Sequence, residues 1–460
     1  RRGYQPRGRV LGGSSSINAM IYVRGQPEDY DGWRDAGNPG WGFSDVLPWF
    51  KRAEHNERGA GEWHGSGGPL NVMDLRSPNP ILPAFLEAAR SAGHPMNADF
   101  NGATQEGIGV YQVTHKNGER FSAAKAYLTP NRARPNLHVI TGVQATRVLL
   151  EGRRAVGVQA WRLKGGEQVT VRARAEVLLA AGALQSPQLL MLSGIGAPDE
   201  LQRHGIAVVL ALPGVGANLH DHVDVVQVVQ APQAKTTFGL SLGGAWRVLQ
   251  GIGQWRRERA GMLTTNFAEA GGFVRSSPGE ARPDLQLHFV IAKLVDHGRK
   301  TVFGHGYSCH VCLLRPKSRG RLTLAGADPF AAPLVDPNFL AEADDTARLV
   351  RGFKLMRNLL AQPSLARLGG RESPTSAAAT SDEDIERFVR NHADTIYHPV
   401  GTCRMGPGSM DVVDAELRVR GIERLRVVDA SIMPSVVSGN TNAPVIMIAE
   451  KAAGMIKAVR

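Results

Sequence analysis

Cysteine and long apolar runs are both scarce in this sequence, and each deficit excludes a class of protein. Three cysteines spread over 460 residues are too few and too far apart to staple a disulfide scaffold, so a reducing compartment fits best. Apolar stretches are interrupted by Gly, Pro, Gln or charge before they reach the ~18 residues of a membrane-spanning helix. We therefore expect a protein that is free in solution or sits on a membrane surface.

The sequence also has few aromatic residues and lacks long clusters of basic residues. The net charge is +12, yet aromatic residues make up 6% and the arginines are scattered, with short pairs such as Arg153-Arg154 and Arg256-Arg257. A nucleic-acid interface needs basic side chains concentrated on one element or interleaved with aromatics. The charge instead favours a solvated basic surface, or attraction to an anionic cofactor, a quinone-bearing membrane or an acidic partner.

What the sequence does contain indicates a mixed α/β enzyme of two domains. Its 460 residues are 42% hydrophobic and 21% charged, which is more than one ordinary core supports. The 53 glycines and 27 prolines separate short apolar runs, and no fixed-period repeat occurs. Because the chain opens on Arg1-Arg2-Gly3 without an initiator Met or a signal pattern, we expect an N-terminal segment to be lacking.

The clearest local pattern predicts an antiparallel meander that leads into a nucleotide-binding unit. Its predicted strands are Leu137–Ile140, Thr146–Leu150, Val156–Ala160 and Val169–Ala181. Gly182 breaks the last strand, and Ser186-Pro187 is interpreted as the N-cap and first residue of a helix. The same order recurs near the C-terminus, where a strand at 425–428 ends in Asp429 and a helix starts at Asn442.

Three motifs in this order resemble those of one enzyme family. They are Arg9-Val-Leu-Gly-Gly-Ser-Ser-Ser-Ile-Asn-Ala-Met20, Gly182-Ala-Leu-Gln-Ser-Pro-Gln-Leu-Leu-Met-Leu-Ser-Gly-Ile-Gly196, and Tyr397-His-Pro-Val-Gly-Thr-Cys-Arg-Met-Gly406 with Ser438-Gly-Asn-Thr-Asn-Ala-Pro444. The chain closely resembles the glucose–methanol–choline (GMC) flavoprotein oxidoreductases, most nearly bacterial FAD-dependent alcohol and choline dehydrogenases. Members open with a strand, a G-x-G-x-x-G turn and a helix that hold the ADP part of FAD, and that motif is missing from this sequence.

The resemblance implies an α/β fold with a discontinuous Rossmann-like FAD-binding domain and a substrate domain built on an antiparallel sheet. Residues 1–224 are expected to form the N-terminal GMC region, which combines FAD-binding elements with part of the substrate domain. Residues 225–385 are expected to be mainly substrate-binding. Residues 386–460 are expected to return to the FAD domain with the catalytic residues.

The resemblance also implies FAD-dependent oxidation of an alcohol to an aldehyde, with hydride passing to flavin N5 and electrons to a quinone-like acceptor. The family's catalytic base corresponds to His398, and a histidine of near-neutral pKa suits that role. The family's substrate-oxygen partner corresponds to Asn440, whose amide can donate to a developing alkoxide. The helix that begins near Asn442 is expected to direct its N-terminus towards the flavin N1–C2 edge.

The expected cofactor residues come from several segments of the chain. A Gly/Ser loop with free backbone N–H groups suits a phosphate or a ring with acceptor edges. The matched motifs assign FAD contacts to Gly12, Gly13, Ser14, Asn18, Ala19, Met20, Val143, Gly182, Asp429, Ala430, Thr441 and Asn442. Asp429 is expected near the ribityl or pyrophosphate region, and Val143 near adenine. Some members attach FAD through a histidine in this loop, whereas this chain has Ile17, so non-covalent FAD is expected.

Two other patterns suggest metal ligands, but no metal site is expected. The pair Cys309 and Cys312 has C-x-x-C spacing but no second pair, and on one strand the two thiols would face opposite ways. The triplet His220-Asp221-His222 lies in a stretch that GMC members carry as structure near the cofactor.

The expected partners are a small-molecule alcohol and a quinone or similar acceptor, without nucleic acid. Such an acceptor suggests a cytoplasmic enzyme that associates peripherally with the inner face of the cell membrane. Four alternatives stay open at this point: a choline dehydrogenase, an oxygen-using alcohol oxidase, a hydroxynitrile lyase of the same family, and a truncated inactive chain that lacks the main phosphate site.

Overall fold

A computed structural model describes residues 3–300 and 302–458. The α-helices are α1 (Pro27–Asp35), α2 (Phe43–Ala53), α3 (Leu82–Ser91), α4 (Gly182–Leu192), α5 (Pro198–Arg203), α6 (Leu242–Glu258), α7 (Ala343–Leu360), α8 (Pro363–Ala366), α9 (Pro374–Ala377), α10 (Asp382–His392) and α11 (Asn442–Ala458). Short 3-10 or π turns occur at Gly13–Ser16, Ala124–Leu128, Thr129–Asn131, Met262–Thr264, Asp296–Gly298 and Ala430–Ile432.

The β-strands range from long sheet strands to two-residue pairs. They are β1 (Glu54–Asn56), β2 (Leu70–Val72), β3 (Gly107–Val110), β4 (His115–Lys116), β5 (Glu119–Arg120), β6 (Val143–Glu151), β7 (Arg154–Arg162), β8 (Gln168–Arg172), β9 (Val177–Leu179), β10 (Ile195–Gly196), β11 (Leu210–Ala211), β12 (Val223–Gln230), β13 (Ala268–Val274), β14 (Leu285–Val290), β15 (Gly306–Leu313), β16 (Arg321–Thr323), β17 (Leu334–Asp336), β18 (Arg371–Glu372), β19 (Asp394–Thr395) and β20 (Leu425–Val427).

The largest sheet is antiparallel, as the sequence predicted for the substrate side of the molecule. Its strands lie in the order β18-β12-β15-β14-β13-β3, and β19 pairs with the start of β12. One face packs on α3, α7 and α10 through alternate residues such as Leu287 of β14 and Val311 of β15. The other face carries the intervening residues, and several of these are polar: Asp224, Gln286, His288 and His310.

A second hydrophobic core holds the elements that carry the family motifs. It combines helices α1, α2, α4 and α11 with strands β9 and β20, through residues such as Trp33, Leu190, Val427 and Met447. Strands β9 and β20 run parallel, with Val177 opposite Leu425 and Leu179 opposite Val427. Parallel pairing brings the carboxyl ends of both strands to one edge, where Gly182 and Asp429 follow.

The predicted meander is confirmed in part. Strands β6, β7 and β8 form an antiparallel three-stranded sheet. The predicted strand Leu137–Ile140 is wrong, because Val139 and Ile140 are exposed and this segment forms no ladder within the described chain. The single predicted strand from Val169 to Ala181 is also wrong: β8 ends at Arg172, and β9 pairs with β20 in a different sheet.

The start of α4 differs from the prediction for a reason that the side chains reveal. The helix begins at Gly182, so Ser186 and Pro187 lie inside it and Ser186 is not its N-cap. Proline has no N–H to donate to the carbonyl four residues earlier, which is that of Ala183. The hydroxyl of Thr402 donates to this carbonyl at 2.6 Å, so the acceptor that proline leaves free is satisfied.

No helix in the described part of the chain combines the length and hydropathy that a transmembrane span needs.

Candidate active site

His398 and Asn440 lie in contact although 42 residues separate them. His398 follows β19 in a loop, and Asn440 directly precedes α11. The Nδ2 atom of Asn440 is 3.3 Å from Nε2 of His398. The backbone N–H of His398 donates to Asp221 at 2.8 Å, and the hydroxyl of Thr395 donates to the same carboxylate. The pair that the sequence predicted is therefore brought together, and Asp221 anchors its loop.

His222 determines which ring nitrogen of His398 carries the proton. Nε2 of His222 lies 3.0 Å from the carbonyl of Leu314, which can only accept, so this nitrogen is the donor and Nδ1 is unprotonated. Nδ1 of His222 can therefore only accept, and it accepts a hydrogen bond from the Nδ1–H of His398 at 3.0 Å. The lone pair of His398 consequently resides on Nε2, the atom that faces Asn440.

Gln286 fixes the orientation of the Asn440 amide. Its Nε2 donates to Oδ1 of Asn440 at 3.1 Å, so the carbonyl end of that amide faces β14. The NH₂ end is left to face His398. A continuous chain of hydrogen bonds thus runs from the Leu314 carbonyl through His222, His398 and Asn440 to Gln286.

Burial keeps His398 neutral at physiological pH. Loss of hydration is the largest cause, and His222, His288 and Arg7 add repulsion, so the pKa of His398 is lowered well below its ordinary value of 6.5. This differs from the near-neutral pKa expected from the sequence. A neutral imidazole with its lone pair on Nε2 is already in the form that accepts a proton.

A polar face of the large sheet adjoins this pair. His288 and His310 are register partners on β14 and β15, with ring centroids 6.4 Å apart, and Nδ1 of His310 is 2.5 Å from the carboxylate of Asp224. Among the described residues, Oε1 of Gln286 meets no hydrogen-bond partner, and the ring nitrogens of His288 make no well-formed hydrogen bond, although the Asn440 amide lies close enough to affect the pKa of His288. Burial lowers the pKa of His288 to about 3. Unpartnered buried polar atoms are unfavourable, so they point to a ligand with polar atoms.

Sequence reasoning missed His222, Gln286 and His288. Each lies more than 100 residues from His398 in sequence, and none belongs to the motif that contains the base. A signal was present in β14, where Gln286 and His288 alternate with Leu285, Leu287 and Phe289. Polar residues at alternate positions of a fully buried strand mark one face as something other than core.

Asp429 joins the end of β20 to the first turn of α4. One oxygen accepts from the Gly182 N–H at 2.9 Å and from the Ser186 hydroxyl at 2.5 Å. The other accepts from the N–H and hydroxyl of Ser431 at 2.9 and 2.6 Å. These four donors use the lone pairs of the carboxylate, so Asp429 shapes the turn around Gly182. The carbonyl of Ala430 accepts from Gly401, three residues after His398.

The N-terminal Gly/Ser loop folds into a 3-10 turn that contacts several strands. Oδ1 of Asn18 accepts from the Met20 N–H at 3.0 Å and from Arg120 at 2.8 Å. The carbonyl of Ala19 accepts from Asn266 at 3.0 Å, and Sδ of Met20 lies 2.9 Å from His115.

The remaining predicted cofactor residues lie at the edges of this arrangement. Gly8 donates to the hydroxyl of Ser14, and Arg9, at the start of the first motif, donates to Gln144 at 2.9 Å, which places the loop beside Val143 at the start of β6. Thr441 and Asn442 follow Asn440, where the Thr441 carbonyl accepts from Val445 in the first turn of α11.

The arrangement fits a bound flavin dinucleotide at two kinds of position. Gly12, Gly13 and Gly182 all have positive φ, and a Cβ on Gly13 or Gly182 would meet no atom within 4 Å, so open space lies beside these backbones. The N-terminal ends of α4 and α11 supply N–H groups suited to anionic or acceptor atoms.

The two metal-like patterns are explained without a metal. Cys309 packs on the helix-covered face of β15, Cys312 lies three positions later on the opposite face, and both are free thiols. His220 accepts from the Val436 N–H at 2.8 Å, while Asp221 and His222 hold His398. Among residues 3–300 and 302–458, no cluster of three or more His, Cys, Asp or Glu side chains is arranged to hold a metal ion.

The chain is similar to known proteins over most of its length. Family models described as GMC oxidoreductase match residues 1–224 and 316–449. An alcohol dehydrogenase [acceptor] of Pseudomonas putida is 49% identical over 98% of this chain and 82% of its own length. The mitochondrial choline dehydrogenase of Mus musculus is 46% identical over 99% of this chain and 76% of its own.

A solved structure extends the agreement to the fold and the cofactor. An FAD-dependent oxidoreductase from Chaetomium thermophilum superposes with a TM-score of 0.89 at 26% identity, covering 98% of this chain and 86% of that one. Family membership of this kind implies FAD as the cofactor. On this evidence the chain belongs to the GMC oxidoreductase family and is an oxidoreductase.

Proposed function

We propose that this protein is an FAD-dependent alcohol dehydrogenase that oxidises an alcohol to an aldehyde and passes the electrons to a quinone-like acceptor. The observation that carries the proposal is the 3.3 Å contact between Nε2 of His398 and the Asn440 amide, in which the hydrogen bonds of His222 assign the lone pair to Nε2. A base beside an oxygen-binding donor is the pair that alcohol oxidation requires. The names of the relatives, alcohol dehydrogenase and choline dehydrogenase, support an alcohol as substrate.

In this mechanism Nε2 of His398 accepts the proton of the alcohol hydroxyl. The Asn440 amide donates to the same oxygen as negative charge develops on it. The hydrogen bond from Gln286 prevents that amide from rotating and presenting its oxygen instead. Nδ1 of His222 accepts a hydrogen bond from the Nδ1–H of His398 before and after this step, and so stabilises the imidazolium that forms. FAD, when bound, supplies the acceptor for the hydride that leaves the carbinol carbon.

The cofactor is proposed to be held non-covalently by three parts of the chain. Ile17, in the Gly/Ser loop, has no nucleophilic atom. Backbone groups of Gly12, Gly13, Ser14, Asn18, Ala19 and Met20 would line one side; Gly182, Asp429 and Ala430 would shape another; and Thr441 and Asn442 would present the N-terminus of α11. Val143 is proposed to contact adenine.

Domain boundaries and location complete the proposal. We assign residues 1–224 and 386–460 mainly to FAD binding and catalysis, and residues 225–385 mainly to the substrate side. A quinone acceptor would place the enzyme peripherally at the inner face of the cytoplasmic membrane.

Anaerobic mixing of the flavin-loaded full chain with a panel of primary alcohols and choline tests the proposal. Bleaching of the flavin absorbance, followed by rapid reoxidation with a water-soluble quinone and slow reoxidation with dioxygen, is the expected result. Faster reoxidation by dioxygen would make the protein an oxidase, and a preference for choline would make it a choline dehydrogenase. Cyanohydrin cleavage without bleaching would identify a lyase, and a chain that binds no flavin would overturn the proposal.

A further inference from the structure

The first half of helix α6 places three large apolar side chains in solvent, while two of the helix glycines lie against the protein. Leu242, Trp246 and Leu249 are 95%, 63% and 61% exposed, whereas Gly244 and Gly251 are buried. A Cβ on Gly251 would approach Met262 to 2.9 Å, and one on Gly244 would approach the Gly239 carbonyl to 2.2 Å. The inner face of α6 is therefore packed too closely for the helix to turn its apolar residues inward.

The exposed residues form one stripe. Positions 242, 246 and 249 are spaced by four and three residues, which places them on a single face of a helix. A surface helix of a protein surrounded only by water shows the opposite arrangement, with apolar residues inside. This orientation is typical of a helix whose outer face meets an apolar phase.

The stripe continues onto the loop that joins β14 to β15. Leu240 precedes α6 and is 51% exposed; its carbonyl accepts from the Gly304 N–H at 3.1 Å. The neighbouring Phe303 is 79% exposed. We define the α6 patch as Leu240, Leu242, Trp246, Leu249 and Phe303. Five large apolar side chains in one region exceed the scattered exposed residues of an ordinary surface.

Positive charge borders the α6 patch. Arg256 and Arg257 are exposed in the last turn of α6, and Lys300 is exposed on the loop that carries Phe303. Lys293 donates to the carbonyl of Phe303 itself. Leu, Trp and Phe side chains surrounded by Lys and Arg complement a layer of acyl chains beneath anionic headgroups.

The loop of the α6 patch also reaches the catalytic loop. Nε2 of His297 is 3.0 Å from Asp394, and its other ring nitrogen meets the hydroxyl of Tyr397, the residue before His398. The loop that carries Phe303 therefore also carries a contact to the residue that precedes the candidate base.

We propose that the α6 patch docks the protein onto an anionic phospholipid bilayer. Leu242, Trp246, Leu249 and Phe303 enter the headgroup and acyl boundary, and Arg256, Arg257, Lys293 and Lys300 contact the phosphates. The proposed function gives this docking its purpose, since a quinone acceptor is dissolved in the bilayer, but the binding itself does not depend on catalysis.

Flotation of the purified full chain with vesicles tests the docking. Vesicles of phosphatidylcholine alone are compared with vesicles that also contain phosphatidylglycerol. We expect the unmodified protein to bind the anionic vesicles. The partition coefficient should fall about tenfold or more for L242S/W246S/L249S. It should fall less for R256Q/R257Q, and added salt should weaken binding of the unmodified protein in the same way. Matched controls are L163S/V171S and R172Q/R174Q, which change exposed residues on and beside the β6–β8 sheet and should bind as the unmodified protein does.

Three results would overturn the docking proposal. The unmodified protein could fail to float with anionic vesicles, or the α6 triple variant could float as well as the unmodified protein. The third result is that the unmodified protein does not bind vesicles but self-associates in sedimentation velocity, and that the triple variant does not self-associate. The α6 patch would then be a contact between copies of the chain. Oxidation of a soluble alcohol with a dye acceptor should be unchanged in the triple variant, so loss of docking and failure of the proposed activity are separately visible.

Discussion

At the scale of single residues, the site depends on which atoms of two side chains face each other. His398 and Asn440 could be predicted because each belongs to a contiguous motif. The tautomer of His398 could not, because it follows from His222 and the Leu314 carbonyl, which meet His398 only in the folded chain. The orientation of Asn440 likewise depends on Gln286, a residue of a different strand.

Replacing Gln286 with methionine tests that orientation. The change removes the donor to Asn440 while keeping a side chain of similar length, so the amide is free to turn its oxygen towards His398. We expect flavin reduction to slow by about tenfold, equivalent to about 1.4 kcal/mol, with flavin content unchanged. Gln227→Met is the matched control, because Gln227 is buried on β12 of the same sheet. Equal rates of flavin reduction in the two variants would show that Gln286 does not orient Asn440 for catalysis.

The lowered pKa of His398 predicts the pH dependence of the same step. Its neutral form is the base, and burial with His222, His288 and Arg7 lowers its pKa well below 6.5. Flavin reduction measured from about pH 8 down to about pH 6 should therefore show no loss with a midpoint near 6.5, the ordinary value for histidine. A fall centred at 6.5 or above that disappears in His398→Ala would show that this histidine titrates normally.

At the scale of elements, the turn between β9 and α4 illustrates what sequence patterns can and cannot reveal. The strand, glycine and helix order was predictable from Val177 to Leu192. The first residue of α4 was not, because Pro187 inside a helix is acceptable only when another donor reaches the Ala183 carbonyl, and that donor is Thr402 from more than 200 residues away. The Ser186-Pro187 pair predicts a helix cap, whereas in the folded chain the Ser186 hydroxyl donates to Asp429.

Gly182→Ala tests the cofactor role of this turn. Its φ is +84° and a Cβ would meet no atom within 4 Å, so alanine introduces backbone strain of about 1 kcal/mol and a methyl group into the open space. We expect a clear loss of bound flavin with the fold retained. Gly205→Ala is the matched control, since Gly205 has a φ of +68° and equally open surroundings at the end of α5. Similar flavin content in both variants would contradict a cofactor at Gly182.

At the scale of the whole molecule, the sequence predicted a mixed α/β fold with an antiparallel substrate sheet, and that sheet is present. The alternation of Gln286 and His288 marks one face of β14 as polar in the sequence itself. That this face meets Asp224 and His310 was not predictable, because β12, β14 and β15 become neighbours only in the folded chain. The orientation of α6 was not predictable either. From the sequence, the apolar stripe at positions 242, 246 and 249 is typical of a helix that faces the core, whereas in the structure Gly244 and Gly251 form the buried side.

Buried histidines make the stability of the whole fold sensitive to acid. Burial lowers the pKa of His220 and His288 to about 3 and of His115 and His222 to about 4. The unfolded chain takes up these protons near pH 6.5 and the folded chain does not, so the stability contributed by these four histidines is complete above about pH 6.5 and is lost as the pH falls. His64 acts in the opposite direction, because its hydrogen bonds to Asp99 and Glu54 raise its pKa to about 9 and its contribution is lost as the pH rises towards that value. Each histidine contributes up to about 1.4 kcal/mol per pH unit, and Asp221, whose pKa burial raises to about 6, opposes one of them.

Urea unfolding at about pH 7, 6 and 5 checks this prediction through the shift of the midpoint. The midpoint should fall with each step, and His115→Gln should flatten the slope by up to about 1.4 kcal/mol per pH unit. Val139→Ala, at an exposed position that does not titrate, should leave the slope unchanged. A midpoint that is constant from pH 7 to pH 5 would show that these histidines take up protons without unfolding.

The most direct test of the account is single-turnover flavin reduction by a primary alcohol, measured without oxygen in the unmodified protein and in His398→Ala. We predict that the variant binds FAD normally and reduces it about 10² to 10⁴ times more slowly, as expected when a general base is removed. Asn440→Ala should lie between the two. Reduction at an unchanged rate in His398→Ala, or a loss of bound FAD that accounts for the whole effect, would contradict the assignment of His398 as the base.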